Sequence, residues 1–167
     1  KERPTAMEWE RGLVKTWNLL HRCTNPNCEK KYFILYDTSK PVCPFCGMKI
    51  KNKTIMKLDF MTQRKGYTGR WFKSSELIAE DNTPICSWNL YSNVYPDEKA
   101  SDREVKAYIK YEDEKYYLVN LAADNLLSPD GSIIPRGHAT EITDRSTFRL
   151  VRDKNSLLLH AELFENI

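Results

Sequence analysis

The chain has 167 residues, of which 41% are hydrophobic and 29% are charged, and these values are typical of a folded soluble protein. Its 26 basic and 23 acidic side chains nearly cancel, which argues against a dedicated nucleic-acid-binding protein, because such proteins concentrate positive charge. No apolar run is long enough to cross a bilayer, and residues 1–5 do not form a secretory signal, so we expect a cytoplasmic protein. Residue 1 is not methionine, which suggests a fragment of a longer protein.

Residues 1–20 predict an amphipathic helix. Thr5 followed by Glu8 predicts a capping box, in which each side chain accepts a hydrogen bond from the other residue's backbone N–H. Trp9, Leu13 and Trp17 recur at helical spacing. Because two tryptophans share this stripe, we expect it to pack in the protein core, and a partner-binding helix is the alternative.

Residues 21–52 contain four cysteines in two close pairs, Cys23 with Cys28 and Cys43 with Cys46. Two tight turns that present thiolates from opposite sides suit a tetrahedral Zn²⁺ ion, and Gly47 lets the second turn fold over the metal. Residues 31–36 predict a strand between the pairs, so the layout is that of a zinc ribbon. Four thiolates close the coordination sphere, so we predict one zinc ion with a structural role.

Other readings of the cysteines and their neighbours stay open. His21 could replace Cys23 as a ligand, or it could cap the preceding helix. Cys43 and Cys46 could form a redox pair, although no βαβ pattern surrounds them. Five cysteines without a secretory signal favour thiols or metal over disulfides. Cys86, the fifth, is predicted to be a small apolar core residue.

Residues 53–167 have the pattern of short β-strands. Alternating apolar and polar residues with a turn about every 8–12 residues are typical of an antiparallel β-sandwich. The fold class predicted for the chain is therefore mainly β, with a short N-terminal helix. The predicted strands cover residues 54–60, 105–111, 115–121, 126–127, 132–134, 139–142, 147–151 and 156–163.

No motif of a hydrolase, a metalloprotease, a phosphate-binding loop or a kinase active site occurs in the sequence, so we predict no catalytic residues. A further alternative is an enzyme whose site lies outside this fragment. The alternative function is a zinc-ribbon nucleic-acid-binding module whose lysines contact phosphates. These lysines are Lys30, Lys31, Lys49, Lys51 and Lys53.

Residues 3–9, Arg-Pro-Thr-Ala-Met-Glu-Trp, resemble the final helix of a eukaryotic-type protein kinase C-lobe. The order of this helix, the cysteine pair around Asn25-Pro26-Asn27 and the Cys-Pro-Phe-Cys pair is similar to the Ser/Thr kinases of tellurite-resistance-type phosphorylation systems in bacteria, or to their von Willebrand-type partners. The resemblance implies a non-catalytic C-terminal region of such a signalling protein.

Residues 101–109, 116–121 and 124–137 resemble stretches of the forkhead-associated (FHA) domain, a β-sandwich whose active members bind phosphothreonine peptides. The resemblance implies an FHA-like sandwich in residues 53–167 and a phosphopeptide site at Ser101, Arg103 and Asn125. The family's Gly-Arg pair and its His are absent at the matching positions, so a sandwich without a phosphate site is the alternative. We therefore expect a regulatory region that contacts a protein partner, which could be phosphorylated.

Overall fold

The computed structural model of the chain describes residues 3–51, 54–96, 104–150 and 154–165. In chain order the elements are α1 (Ala6–Asn18), β1 (Leu20–Arg22), β2 (Tyr32–Ile34), β3 (Thr54–Gln63), β4 (Trp71–Ala79), β5 (Thr83–Cys86), α2 (Ser87–Leu90), β6 (Val105–Glu112), β7 (Lys115–Asn120), β8 (Leu126–Leu127), β9 (Ala139–Ile142), β10 (Thr147–Leu150) and β11 (Leu158–Glu165). Neither described helix has the length and apolar character needed to cross a membrane.

Helix α1 begins with the predicted capping box. The Glu8 backbone N–H donates to Thr5 Oγ1 at 3.3 Å, and the Thr5 backbone N–H donates to Glu8 Oε2 at 2.7 Å. Two of the N–H groups at the helix start are thereby satisfied. The helix ends at Asn18, and its C-cap residue Leu19 leads directly into strand β1.

Strands β1 and β2 form an antiparallel hairpin, and the first cysteine turn lies in the connection between them. Phe33 is buried while its neighbours Tyr32 and Ile34 are exposed, as expected for a strand with one covered face. The predicted strand at residues 31–36 is therefore confirmed in a shorter form. We call residues 20–51, which hold this hairpin and all four paired cysteines, the cysteine module.

The remaining strands form two antiparallel sheets that face each other across one core. The first sheet has the order β4-β3-β11-β10-β8, and the second has the order β5-β6-β7-β9. Their facing sides contribute a shared set of buried apolar residues, which include Leu58, Phe60, Ile109, Leu118, Phe148 and Leu159. The predicted mainly-β fold with an antiparallel sandwich and an N-terminal helix is confirmed.

Most predicted strands are present with small changes at their ends. The turn between β6 and β7 has positive φ at both Asp113 and Glu114, which suits the right-handed twist of a two-residue hairpin. Residues 132–134 do not form a strand, because only an isolated bridge joins Ile133 to Leu127. Strands β4 and β5 and helix α2 were not predicted.

A second apolar cluster joins the cysteine module to the outer side of the first sheet. Ile55 of β3 and Ile78 of β4 point away from the sandwich core and pack against residues of the module. The module contributes Cys23, Cys28, Phe33, Leu35, Cys43 and Ile50 to this cluster. A segment of this size cannot bury a full core of its own, and the sheet supplies the missing apolar surface.

Candidate metal centre and its surroundings

The two cysteine turns bring four sulfur atoms together, and each Sγ lies within 4.8 Å of the others. Cys23 Sγ lies 3.6 Å from Cys46 Sγ, and Cys28 Sγ lies 3.8 Å from Cys43 Sγ. Four sulfurs bound at ~2.3 Å to a tetrahedral ion are about 3.8 Å apart, so the donor set fits such an ion. A disulfide needs ~2.05 Å, so these contacts are between free thiols.

The surroundings of two of these sulfurs shift their pKa values in opposite directions. The pKa of the Cys46 thiol is lowered to about 7, chiefly because the Met48 backbone N–H donates to its sulfur. The pKa of Cys28 is raised to about 12, chiefly because burial disfavours its thiolate. A divalent cation among the four sulfurs would favour the thiolate form of every ligand.

Gly47 takes a positive φ of 71° directly after Cys46. Its backbone N–H donates to the Cys43 carbonyl at 2.8 Å, and this bond closes the second turn. The left-handed conformation costs a glycine little, which explains the Cys-Gly order in the sequence.

Neither alternative role for His21 agrees with the structure. His21 lies in β1, is buried, and is not among the grouped sulfur donors. Its Nδ1 lies 2.6 Å from Oε1 of Glu80, which follows β4. The two atoms are in direct polar contact, although the ring nitrogen lacks good hydrogen-bond alignment with the carboxylate. Cys86 is buried in the sandwich, where burial raises its pKa, as expected for a core thiol.

Glu80 is the polar link between the cysteine module and the sandwich. The same Oε1 that contacts His21 also accepts a hydrogen bond from the Arg22 backbone N–H at 2.8 Å. Burial acts to raise the pKa of Glu80, but the bonds from His21 and Arg22 outweigh it, and the net pKa is below its ordinary value of 4.5. The carboxylate is therefore a stabilising anion in the folded protein.

A second group of possible ligands lies on the outer side of the first sheet, where Asp59, His160 and Glu162 approach within 4.8 Å of one another. Glu162 pairs with Lys57 at 2.6 Å, and this lysine lowers the pKa of Glu162. Asp59 Oδ1 lies 2.9 Å from Lys73 Nζ, in an ion pair that lacks good hydrogen-bond alignment. Both carboxylates thus have cationic partners, and the group is an ion-pair network.

Of the predicted phosphopeptide residues, Ser101 and Arg103 lie outside the described residues. Asn125 is exposed and has a positive φ of 55° in the loop before β8. The neighbouring Asp124 pairs with Arg136 at 2.7 Å.

The expectation that the tryptophan stripe packs in the core is wrong. Trp9, Leu13 and Trp17 are 62%, 64% and 73% exposed. The helix instead turns its other side to the sandwich, where Val14 is half-buried and Asn18 is buried. Helical periodicity identified an apolar face correctly, but the sequence does not say what covers that face.

A cavity of about 380 Å³ remains between α1 and the sandwich. Its lining includes Val14 and Arg11 from the helix and Trp88 and Tyr95 from the sandwich. The Arg11 guanidinium lies 5.0 Å from the centre of the Tyr95 ring, within the range of a cation–π contact. These contacts hold α1 in place while the tryptophan stripe faces outward.

Comparison with protein-family models gives no match, and no curated protein matches the chain. Among solved structures, one titled "Rv0020c_FHA Structure" matches with 15% sequence identity and a TM-score of 0.37, over 66% of this chain and 94% of that chain.

Removing one ligand should loosen the cysteine module and spare the sandwich. We expect Cys46→Ala to lose bound metal and hydrogen-exchange protection in residues 20–51, because the module then keeps only its apolar contact with the sheet and the Glu80 link. Metal analysis and hydrogen exchange measure both effects. Cys86→Ala is the matched control and should retain the metal. Full protection of the module in metal-free protein would contradict the expectation.

Glu80→Gln should weaken the docking of the module by about 1 kcal/mol at pH 7, since the half-exposed carboxylate loses its charge-assisted bonds. The folded pKa of Glu80 is lowered, so its stabilisation is present above pH 4.5 and disappears as the pH falls through the folded pKa. The docking stabilities of wild type and variant should therefore become equal in acid. Hydrogen exchange of the Leu20–Arg22 backbone amides measures this difference in docking stability, and Glu112→Gln serves as the control. If the difference in hydrogen-exchange protection between wild type and variant were the same at every pH, it would count against this role.

Proposed function

We propose that this chain is a non-catalytic regulatory region of a bacterial signalling protein, and that it acts by contacting another protein. The observation that carries the proposal is the exposed stripe of Trp9, Leu13 and Trp17 on a helix whose opposite side packs on the sandwich. Large apolar side chains that line up in this way on a protein surface mark interaction sites. Tryptophan is also enriched among residues that dominate binding energy at interfaces.

We further propose that the four cysteines bind one zinc ion with a structural role. Their sulfur separations match a tetrahedral ion, and an all-sulfur donor set favours zinc over harder cations such as magnesium or calcium. With four protein ligands the ion has no open position for water or substrate. Its role would be to hold the cysteine module, and with it the start of the chain, against the sandwich.

For the partner of the stripe we propose the C-lobe of a Ser/Thr protein kinase, within the same protein or in a separate one. The support is the resemblance of residues 3–9 to the final helix of that lobe, together with the outward-facing tryptophans that follow. A helix held by its capping box and by its contact with β4 presents these side chains without further ordering, which lowers the entropic cost of binding.

A photo-crosslinking amino acid at position 13 tests this proposal in living bacteria. We expect crosslinks from position 13 to peptides of a kinase C-lobe, because Leu13 is at the centre of the stripe. The matched control carries the same crosslinker at Tyr67, which is similarly exposed on the sandwich. Identical crosslinks from both positions, or crosslinks from position 13 that include no kinase peptide, would refute the proposal.

The sandwich could add a phosphothreonine-reading function, with Ser101, Arg103 and Asn125 as the proposed contacts. Fluorescence polarisation with a degenerate phosphothreonine library and its unphosphorylated twin tests it. If the sandwich reads phosphate, we expect phosphate-dependent binding that Arg103→Ala reduces at least tenfold, since charge-assisted bonds to phosphate are strong. The control is Arg145→Ala, which removes an exposed arginine in the turn before β10 and should leave binding unchanged. Equal binding of both libraries would mean that the sandwich does not read phosphate.

A further inference from the structure

The lysines of the cysteine module differ from those of the sandwich in their surroundings. Among the described residues, no carboxylate lies within 4.0 Å of the exposed lysines Lys30, Lys31, Lys49 and Lys51. The lysines on the strands of the sandwich each have a carboxylate at 2.5–3.0 Å. These are Lys57, Lys73, Lys106, Lys110 and Lys115. The module lysines are therefore available to an external anion.

The positive charge of the chain is concentrated in this module. Residues 20–51 contain six basic and two acidic side chains, so the rest of the chain, with 20 basic and 21 acidic side chains, has a net charge of −1. Four thiolates around a divalent ion would add negative charge to the module. Three of these sulfurs belong to buried cysteines, however, whereas the lysines lie on the surface. An approaching polyanion meets the lysines first.

Aromatic side chains are exposed on the same module. Tyr32, Tyr36 and Phe45 are 56%, 84% and 59% exposed. Arg22 lies directly opposite Tyr32 in the β1–β2 hairpin, so these two exposed side chains share one face. Lys49 similarly lies opposite the exposed Val42. The surface therefore places cations next to ring and apolar faces.

We propose that the exposed surface of the cysteine module binds single-stranded nucleic acid. The unpaired lysines would contact the phosphates, and bases would stack on the exposed rings, which is how non-specific single-strand binders combine charge and aromatic surface. The module contains no helix that could enter a duplex groove, and its hairpin strands have three residues each. An acidic protein would satisfy the lysines but would leave the aromatic rings without a comparable partner.

The test is fluorescence polarisation of fluorescein-labelled 20-mers of dT and rU with the full metal-loaded chain. If four lysines contact phosphates, binding should weaken by about 50-fold between 50 and 200 mM NaCl, from a slope of about −0.7 per contact. Tyr36→Ala and Phe45→Ala should each weaken binding by at least about fivefold, because a stacked base loses its partner. These aromatic variants separate stacking from simple charge attraction.

A pair of charge reversals gives the matched control. Lys49→Glu with Lys51→Glu changes the net charge by the same amount as Arg64→Glu with Lys65→Glu, which lie in an exposed stretch after β3. We expect only the first pair to abolish binding, with metal content unchanged in both. Equal loss from both pairs, aromatic variants without effect, duplex bound as tightly as single strand, or full competition by poly-glutamate would each overturn the proposal.

Discussion

The contact between Glu80 and strand β1 is the polar link between the two parts of the molecule. One carboxylate oxygen contacts the His21 ring and accepts a hydrogen bond from the Arg22 backbone N–H. Ile55 and Ile78 add apolar contacts between the sheet and the cysteine module. The apolar contacts supply affinity without direction, and the carboxylate supplies direction. Because α1 runs into β1 through Leu19, the same link also sets the position of the helix and its tryptophan stripe.

The second apolar cluster explains why the first sheet departs from simple alternation. In β3, Ile55 and Met56 are consecutive and both buried, and in β4 Leu77, Ile78 and Ala79 are all buried. One face of each strand packs in the sandwich core, and the other packs under the cysteine module. A strand end covered on both faces shows an apolar run instead of a period of two, as residues 77–79 of β4 do. The first six residues of β4 include no buried position, so no alternating pattern marked this strand in the sequence.

Features encoded by neighbouring residues were predictable, and features that join distant residues were not. The Thr5–Glu8 capping box, the grouping of the four cysteines and the β6–β7 hairpin follow from local spacing. The pairing of His21 with Glu80 has no local signal, because the fold alone brings the two residues together. The tryptophan stripe shows a related limit, since periodicity reveals an apolar face but not whether the chain itself covers it.

Net charge has a similar limit, because a total does not say where on the surface the charge lies. The near balance of acidic and basic residues argued against a nucleic-acid binder, but the balance arises largely in the sandwich, where lysines on the strands are matched by adjacent carboxylates. A matched pair contributes little to the field felt by an approaching polyanion, whereas an unmatched lysine on the cysteine module contributes fully. The useful quantity is therefore the charge that remains after local pairing, and that charge lies on the same module as three exposed aromatic rings.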